Sequence, residues 1–284
     1  VALAPAKVNL YLDVKGPRPD GYHELATLFL ALLWGDDVAA RPSTVPGVRL
    51  AVEGDPSVPD GDENLAARAA RAFLDAARKA GRTPPAGADL ALVKRVPVGA
   101  GLGGGSSDAA AVLRELDRRA GPLDPEALLE AAKALGADVP FFLRGGAAIG
   151  RGRGDEIEPV AKPPPLEVVL VIPAWGHETK RVFTFVGRRI HAAPRDGLER
   201  AVEALASGIP ERIRDAHFNA LAVPAMAAYP EYLRFTSSVE RALGRPPCMS
   251  GSGSALFDVP DPGETDDVLR RLEGLPARLV AVRA

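Results

Sequence analysis

Residues 97 to 107 read PVGAGLGGGSS and run directly into DAAAVL. Five of those eleven positions are glycine, an entropic load that a chain carries only where other residues do not fit. Three phosphate chemistries compete for the loop. Gly99, Gly101 and Gly104 satisfy the G-x-G-x-x-G spacing of a dinucleotide turn, with a predicted strand before and a predicted helix after. That turn also needs an acidic residue about twenty positions on, at the end of a second strand, and Leu116 to Leu123 reads instead as the end of a helix. Gly99 and Gly104 have Walker spacing, but Gly105 stands where the phosphate-binding lysine belongs. The third chemistry is a backbone cradle. Without Cβ atoms, successive N–H groups can converge on an anion, and a helix starting at Ser106 to Asp108 adds its dipole and unpaired donors. Ser106 and Ser107 add hydroxyls for phosphate or for a phosphate-bound magnesium. A turn that merely lets strand and helix approach accounts for one or two glycines, not five.

Other residues of chemical interest are scattered. Asp138, in GADVP, is either a turn or capping residue ahead of Pro140 or a carboxylate placed for proton transfer. Lys7 and Asn9 lie two apart in an alternating strand and so share a face. Tyr22 and His23 sit in DGYHEL; taken alone, the first is a core aromatic and the second a surface residue. A second small-residue loop, MSGSGSALF, spans 249 to 257 and follows Cys248, a small buried hydrophobe. His177, His191 and His217 have no metal-ligand spacing and read as structural.

The elements that must hold these residues are a mixture of strands and helices without strict βαβ alternation, which favours an α+β fold. Residues 8 to 14 alternate as a half-buried strand, 28 to 33 and 48 to 52 are further apolar runs, and 88 to 96 leads into the glycine loop. A helix over 63 to 80 stops at Gly81; another over 108 to 120 stops at Gly121; a third opens with Asp124 as N-cap and Pro125 at its first position. The stretch 144 to 166, rich in glycine, proline and charge, is the best domain boundary, dividing the chain into 1–150 and 151–284. Strands over 166 to 172 and 278 to 282 and a helix over 264 to 273 follow.

The chain has 284 residues, enough for one large or two medium domains. A net charge of −2 gives no broad attraction to nucleic acid or to an acidic membrane. The single cysteine excludes an intramolecular disulfide and fits a reducing cytoplasm, and no apolar leader or membrane-length run appears. Glutamine is absent and asparagine occurs three times, a composition consistent with a thermophilic source.

PVGAGLGGGSSDAAAVL resembles the second signature motif of the GHMP kinases (galactokinase, homoserine kinase, mevalonate kinase and phosphomevalonate kinase). APAKVNLYLDV, 4 to 14, looks like the first motif and MSGSGSALF like the third, in family order. AKVNLYL, RPDGYHEL, KRVPVGAGLGGGSSDAAA and LGADVPFFL are similar to the branch of that family acting on a cytidine diphosphate-linked methylerythritol. The resemblance implies a two-domain GHMP fold with the active site in the interdomain cleft. The expected reaction is ATP- and Mg2+-dependent phosphorylation of the substrate's tertiary 2-hydroxyl.

Carried over residue by residue, the resemblance implies that Asp138 is the catalytic acid/base and Lys7 a cation beside it. Pro97, Val98, Gly99, Ala100, Gly101, Leu102, Gly103, Gly104, Gly105, Ser106 and Ser107 would bind ATP. Asn9 would hydrogen-bond substrate, and Tyr22, His23, Thr179 and Phe183 would read the cytosine. Around Asn219 the chain reads HFNALAVPAM, where the family more often carries acidic residues; a change of packing or local charge is expected there. The rival readings are another GHMP kinase such as homoserine kinase, a catalytically silent GHMP-fold sensor, and a nicotinamide enzyme. The Tyr22–His23–Phe183 set counts against the first and the Lys7 and Asp138 pair against the second. The oligomeric state is left open.

Overall fold

A computed structural model describes residues 1–187 and 192–284; His191 lies outside them. In chain order the elements are β1 (Ala2–Pro17), β2 (His23–Ser43), β3 (Gly47–Glu53), α1 (Leu65–Lys79), β4 (Gly87–Val93), α2 (Gly104–Ala120), α3 (Pro125–Leu135) and α4 (Val139–Arg144). Then come β5 (Ala147–Gly152), β6 (Glu156–Pro159), β7 (Glu167–Pro173), α5 (Thr179–Phe183), α6 (Gly197–Ser207), α7 (Pro210–Ala216) and β8 (Phe218–Asn219). The chain ends with α8 (Ala222–Ala228), α9 (Pro230–Leu243), β9 (Cys248–Met249), β10 (Leu256–Asp258), α10 (Thr265–Leu272) and β11 (Ala277–Arg283). The mixture is α+β, as the pattern predicts.

The chain forms two compact units, neither of them one continuous stretch. The first comprises Val1–Ala6, Trp34–Val98 and Gly103–Gly145. In it the second half of β2 pairs antiparallel with β4, Asp37–Ser43 against Val93–Gly87, and β3 runs parallel to β4. Helices α1 and α2 pack on each other through small faces. Ala66, Ala69, Ala70 and Phe73 are buried on one, and Ala109 to Leu113 and Leu116 on the other. Each buried leucine or phenylalanine contributes about 1.5–3 kcal/mol. Asn64 caps α1 by accepting from the Ala66 N–H at 2.8 Å, and Asp124 caps α3 from Glu126 at 2.9 Å.

The second unit comprises Lys7–Leu33, Gly99–Leu102 and Gly146–Ala284. Here β5 lies antiparallel to Leu25–Leu30 of β2 and turns back as β6, and β8 pairs parallel with β1 at Tyr11 and Leu12. A separate sheet has the order β11-β7-β10-β9. Val169 and Val171 of that sheet, Val182 of α5, Tyr232, Phe235 and Val239 of α9 and Val268 and Leu272 of α10 belong to one buried cluster.

Two expectations need correcting. The alternation over 8 to 14 predicts one solvated face, yet residues 6 to 12 are all buried, Lys7 and Asn9 included. The polar face of β1 is occupied by partners of its own rather than by water, as described below. The proline- and glycine-rich stretch 144 to 166, read only as a domain boundary, also contains β5 and β6, and Gly150 and Gly152 of β5 lie where a side chain would collide with Phe29 or Glu156.

Candidate active site

In the second unit, the first and third motifs meet at Lys7. Its ammonium donates to Asn9 Oδ1 and to the Gly101 carbonyl, both at 2.7 Å, and lies 5.8 Å from the centre of the Phe29 ring. Asn9 in turn donates to Thr27 Oγ1 at 2.8 Å, and Thr27 donates to the Tyr11 carbonyl at 2.7 Å. Asn9, the expected substrate contact, thus holds Lys7 through its amide oxygen and is itself fixed on Thr27 through its amide nitrogen. Strand β1 places the two residues on one face, and this polar relay makes their burial tolerable.

The residues Gly99 to Leu102 are woven into the loop 250–254. Ser250 Oγ donates to the Gly101 carbonyl at 2.9 Å, and the Ser254 and Ala255 N–H groups donate to the carbonyls of Gly99 and Ala100 at 3.2 and 3.0 Å. A Cβ on Gly101 would fall 2.2 Å from the Ser250 carbonyl oxygen, and one on Gly251 3.2 Å from Lys7 Nζ. These glycines are required by close approach, and Gly101 also has φ +74°.

Two residues outside the expected set brace this loop. Asn219 Nδ2 donates to the carbonyls of Met249 and Gly251, each at 2.9 Å, so Asn219 anchors the third motif. His217 Nδ1 lies 3.1 Å from the Leu10 carbonyl while Nε2 accepts from the Met249 N–H at 3.2 Å, which fixes the Nδ1-protonated tautomer. Burial pushes the His217 pKa down to about 4 and keeps it neutral.

In the first unit the glycine run ends in a helix start. Gly103 has φ +75°, in the left-handed region, and α2 begins at Gly104, four residues earlier than the predicted start at 108. The first turn of α2 is therefore Gly104, Gly105, Ser106 and Ser107, whose leading N–H groups have no helical acceptor. Ser107 Oγ is buried with no hydrogen-bond partner among the described residues. Pro97 and Val98 precede this turn in the same unit, Val98 being exposed.

Beneath that turn is a buried charge cluster that the sequence pattern does not reveal. Lys94 bridges Asp36 and Asp108, the latter at 2.6 Å, and Asp36 Oδ1 also accepts from the N–H groups of Arg95 and Val96 at 2.5 and 2.9 Å. Burial raises the Asp108 pKa to about 7 against the opposing pull of Lys94. A Cβ on Gly104 would lie 3.3 Å from Lys94 Nζ, so the cluster sits directly under the helix start. Three buried charges separated in sequence by 58 and 14 residues carry no periodic signal, though KR before the glycine loop and D after SS were available as hints.

Asp138 also belongs to the first unit, at the N-cap position of α4 and half-buried, but its side chain makes no capping bond to that helix. Gly136, two residues before it, is close to Ser106: a Cβ there would be 3.8 Å from Ser106 Oγ.

The expected base readers are all in the second unit. The rings of His23 and Phe183, far apart in the chain, lie 5.0 Å centre to centre and are tilted by 42°. Tyr22 is 55% exposed, with the Arg153 guanidinium 5.1 Å from its ring centre. Thr179 opens α5 and its hydroxyl is 3.0 Å from that of Ser252, tying the helix that carries Phe183 to the third motif.

Among the described residues no helix is long and apolar enough to cross a membrane. Residues 64–146 match the model for the GHMP kinases N terminal domain. A 4-diphosphocytidyl-2-C-methyl-D-erythritol kinase of Pelotomaculum thermopropionicum is 40% identical over 259 residues, 91% of this chain and 88% of its own. A crystal structure of 4-(cytidine 5'-diphospho)-2C-methyl-D-erythritol kinase, 39% identical, superposes with a TM-score of 0.79 over 99% of this chain and 98% of its own. A homoserine kinase from Cytophaga hutchinsonii, 19% identical, has a TM-score of 0.72 over 99% of this chain and 92% of its own, and shares the fold. The chain belongs to the 4-diphosphocytidyl-2-C-methyl-D-erythritol kinases, a branch of the GHMP kinases.

Proposed function

We propose that this enzyme transfers the γ-phosphoryl group of ATP to the tertiary 2-hydroxyl of 4-diphosphocytidyl-2-C-methyl-D-erythritol, a step of non-mevalonate isoprenoid precursor synthesis. The observation that carries the substrate reading is the pairing of His23 with Phe183. Cytosine offers acceptors at N3 and O2 and a donor at N4, and its face stacks on aromatic rings. Phe183 supplies a face, His23 ring nitrogens for the base edge, and Tyr22 a second, exposed ring.

The triphosphate is assigned to Pro97 through Ser107, and above all to the start of α2, where N–H donors, the helix dipole and the unpartnered Ser107 hydroxyl coincide. The oxygen donors Ser106 and Ser107 also suit Mg2+, which commonly binds through substrate phosphates and one or two protein oxygens. When bound it supplies neutralisation of phosphate charge.

Asp138 is assigned to the acceptor's proton. A tertiary alcohol is hindered and weakly acidic, so it needs a carboxylate to orient and deprotonate it. Lys7 is assigned to charge developing on the transferring phosphoryl oxygens. Asn9 and the Gly101 carbonyl hold its ammonium in place, so little reorganisation accompanies the transfer. The buried single cysteine fits a reducing compartment, and the cytoplasm is the proposed location.

Phosphorus NMR of the products tests the assignment. The expected spectrum shows ADP, a new phosphomonoester on the methylerythritol moiety and an intact diphosphate bridge. ADP without that resonance would mean the hydroxyl is not the acceptor.

A further inference from the structure

On sequence grounds His177 is a structural residue. The structure gives its ring a more specific place. The ring is buried, stacked face to face on Tyr229 with centres 4.2 Å apart and planes 2° apart, and it meets Tyr232 edge-on at 4.5 Å. Its Nδ1 is 2.9 Å from the Ser252 carbonyl oxygen, and its backbone N–H donates to the Gly99 carbonyl at 2.8 Å. A carbonyl oxygen only accepts, so Nδ1 carries the proton, and Nε2 is a buried nitrogen with no partner among the described residues. Burial lowers the His177 pKa and favours this neutral form.

Both loops are shaped around this residue. A Cβ on Gly253 would fall 2.7 Å from His177 Nδ1, and one on Gly99 3.0 Å from the His177 carbonyl oxygen. The flanking residues extend the clamp: Ser254 Oγ donates to the Trp175 carbonyl at 2.6 Å, and Thr179 pairs with Ser252. We propose that His177 is a positioning residue for ATP: through Nδ1–H and its own backbone it fastens the third-motif loop to the beginning of the glycine run. This inference rests on the assignment of residues 97–107 to the triphosphate.

Two substitutions separate the hydrogen bond from the ring. His177→Asn keeps a donor close to the position of Nδ1 and loses the ring stacking. His177→Phe keeps the ring and loses the donor. If the donor positions the loops, His177→Phe raises KM for ATP about fivefold, the weight of one intramolecular hydrogen bond, with kcat and KM for the cytidylated substrate unchanged. His177→Asn then retains nearly normal KM for ATP despite a lower Tm. The reverse order, with the phenylalanine variant normal and the asparagine variant impaired, overturns the proposal, because the ring would then serve packing alone. Titration calorimetry with a non-hydrolysable ATP analogue must give the same order in Kd. If the wild-type protein binds no analogue, the assignment of the glycine loop to ATP falls, and this inference with it; binding with the reversed order leaves that assignment standing and removes the inference. Nitrogen-15 shifts of the wild-type imidazole give a check free of variants: a neutral Nδ1–H tautomer is expected, and an Nε2–H tautomer contradicts the proposal.

Discussion

The loops proposed to bind phosphate and the patch proposed to read the base are built on opposite plans. The loops are backbone: carbonyls and N–H groups of residues 99–102 interlock with 250–255, and Lys7, Asn219, His177 and His217 fix the neighbouring chain at hydrogen-bond distance. The proposed base readers are side chains on short or exposed elements. Tyr22 is mostly in water, Phe183 ends a five-residue helix, and the His23 and Phe183 rings rest against each other. A base stacked between two rings needs them about 7 Å apart, so rings 5.0 Å apart and tilted must part to admit one on both faces. The contrast suits the ligands proposed for the two regions. A triphosphate is the same anion whatever base it carries, and a rigid backbone cradle suits it. A nucleobase must be admitted and told apart from others, which favours side chains that can turn.

If this division holds, damage should stay on its own side. The largest effect is expected at neither region but at the chemistry: Asp138→Asn should lower kcat about 10²–10⁴-fold with both substrates still bound, as steady-state kinetics beside calorimetry would show. Near-normal turnover would reduce Asp138 to a turn residue. Next, Phe183→Ala should raise KM for the cytidylated substrate about 30-fold, within the roughly 1–3 kcal/mol of base stacking, and leave KM for ATP alone. A loss confined to ATP would exchange the two regions. Smaller again, Gly103→Val places a β-branched residue at φ +75° and should weaken ATP binding about tenfold, with little effect on the other substrate.

The smallest effect concerns the bracing of the backbone region. Folded His217 stays neutral down to about 4, whereas the unfolded imidazole takes up a proton below about 6.5. The unfolded state then binds the extra proton, so this residue's contribution to stability is full above about pH 6.5 and is lost as pH falls toward 4. Denaturant titrations across that window should show a shallower acid loss for His217→Gln, whose stability at neutral pH is itself lower. An unchanged slope would mean that His217 is accessible to protons in the folded protein.

How much of this was legible in the sequence differed between the two plans. Local signals were read correctly where a single segment carries them: the Asp124–Pro125 helix start, the stop at Gly121, and the glycine run ahead of a helix. The start of α2 was placed four residues late because glycine has poor helix propensity, while a first turn whose N–H groups have no helical acceptor tolerates it. Strand β1 looked half-solvated because polar residues alternate there, and no pattern within one strand shows that Thr27 and Gly101 will satisfy them. The hairpin of β5 and β6 was hidden by glycines that serve close strand contact rather than a linker. Two long strands each contribute residues to both compact units, and that interleaving leaves no compositional mark. The Asp36–Lys94–Asp108 cluster was invisible for the same reason: its members meet only after folding.

The central claim is the reaction itself, and one comparison tests it most directly. The purified protein is incubated with Mg·ATP and, in separate reactions, with 4-diphosphocytidyl-2-C-methyl-D-erythritol, homoserine, mevalonate and galactose, following ADP release. The account predicts ADP release only with the cytidylated polyol. Turnover of homoserine, mevalonate or galactose in preference to it, or of none of the four, would contradict the account.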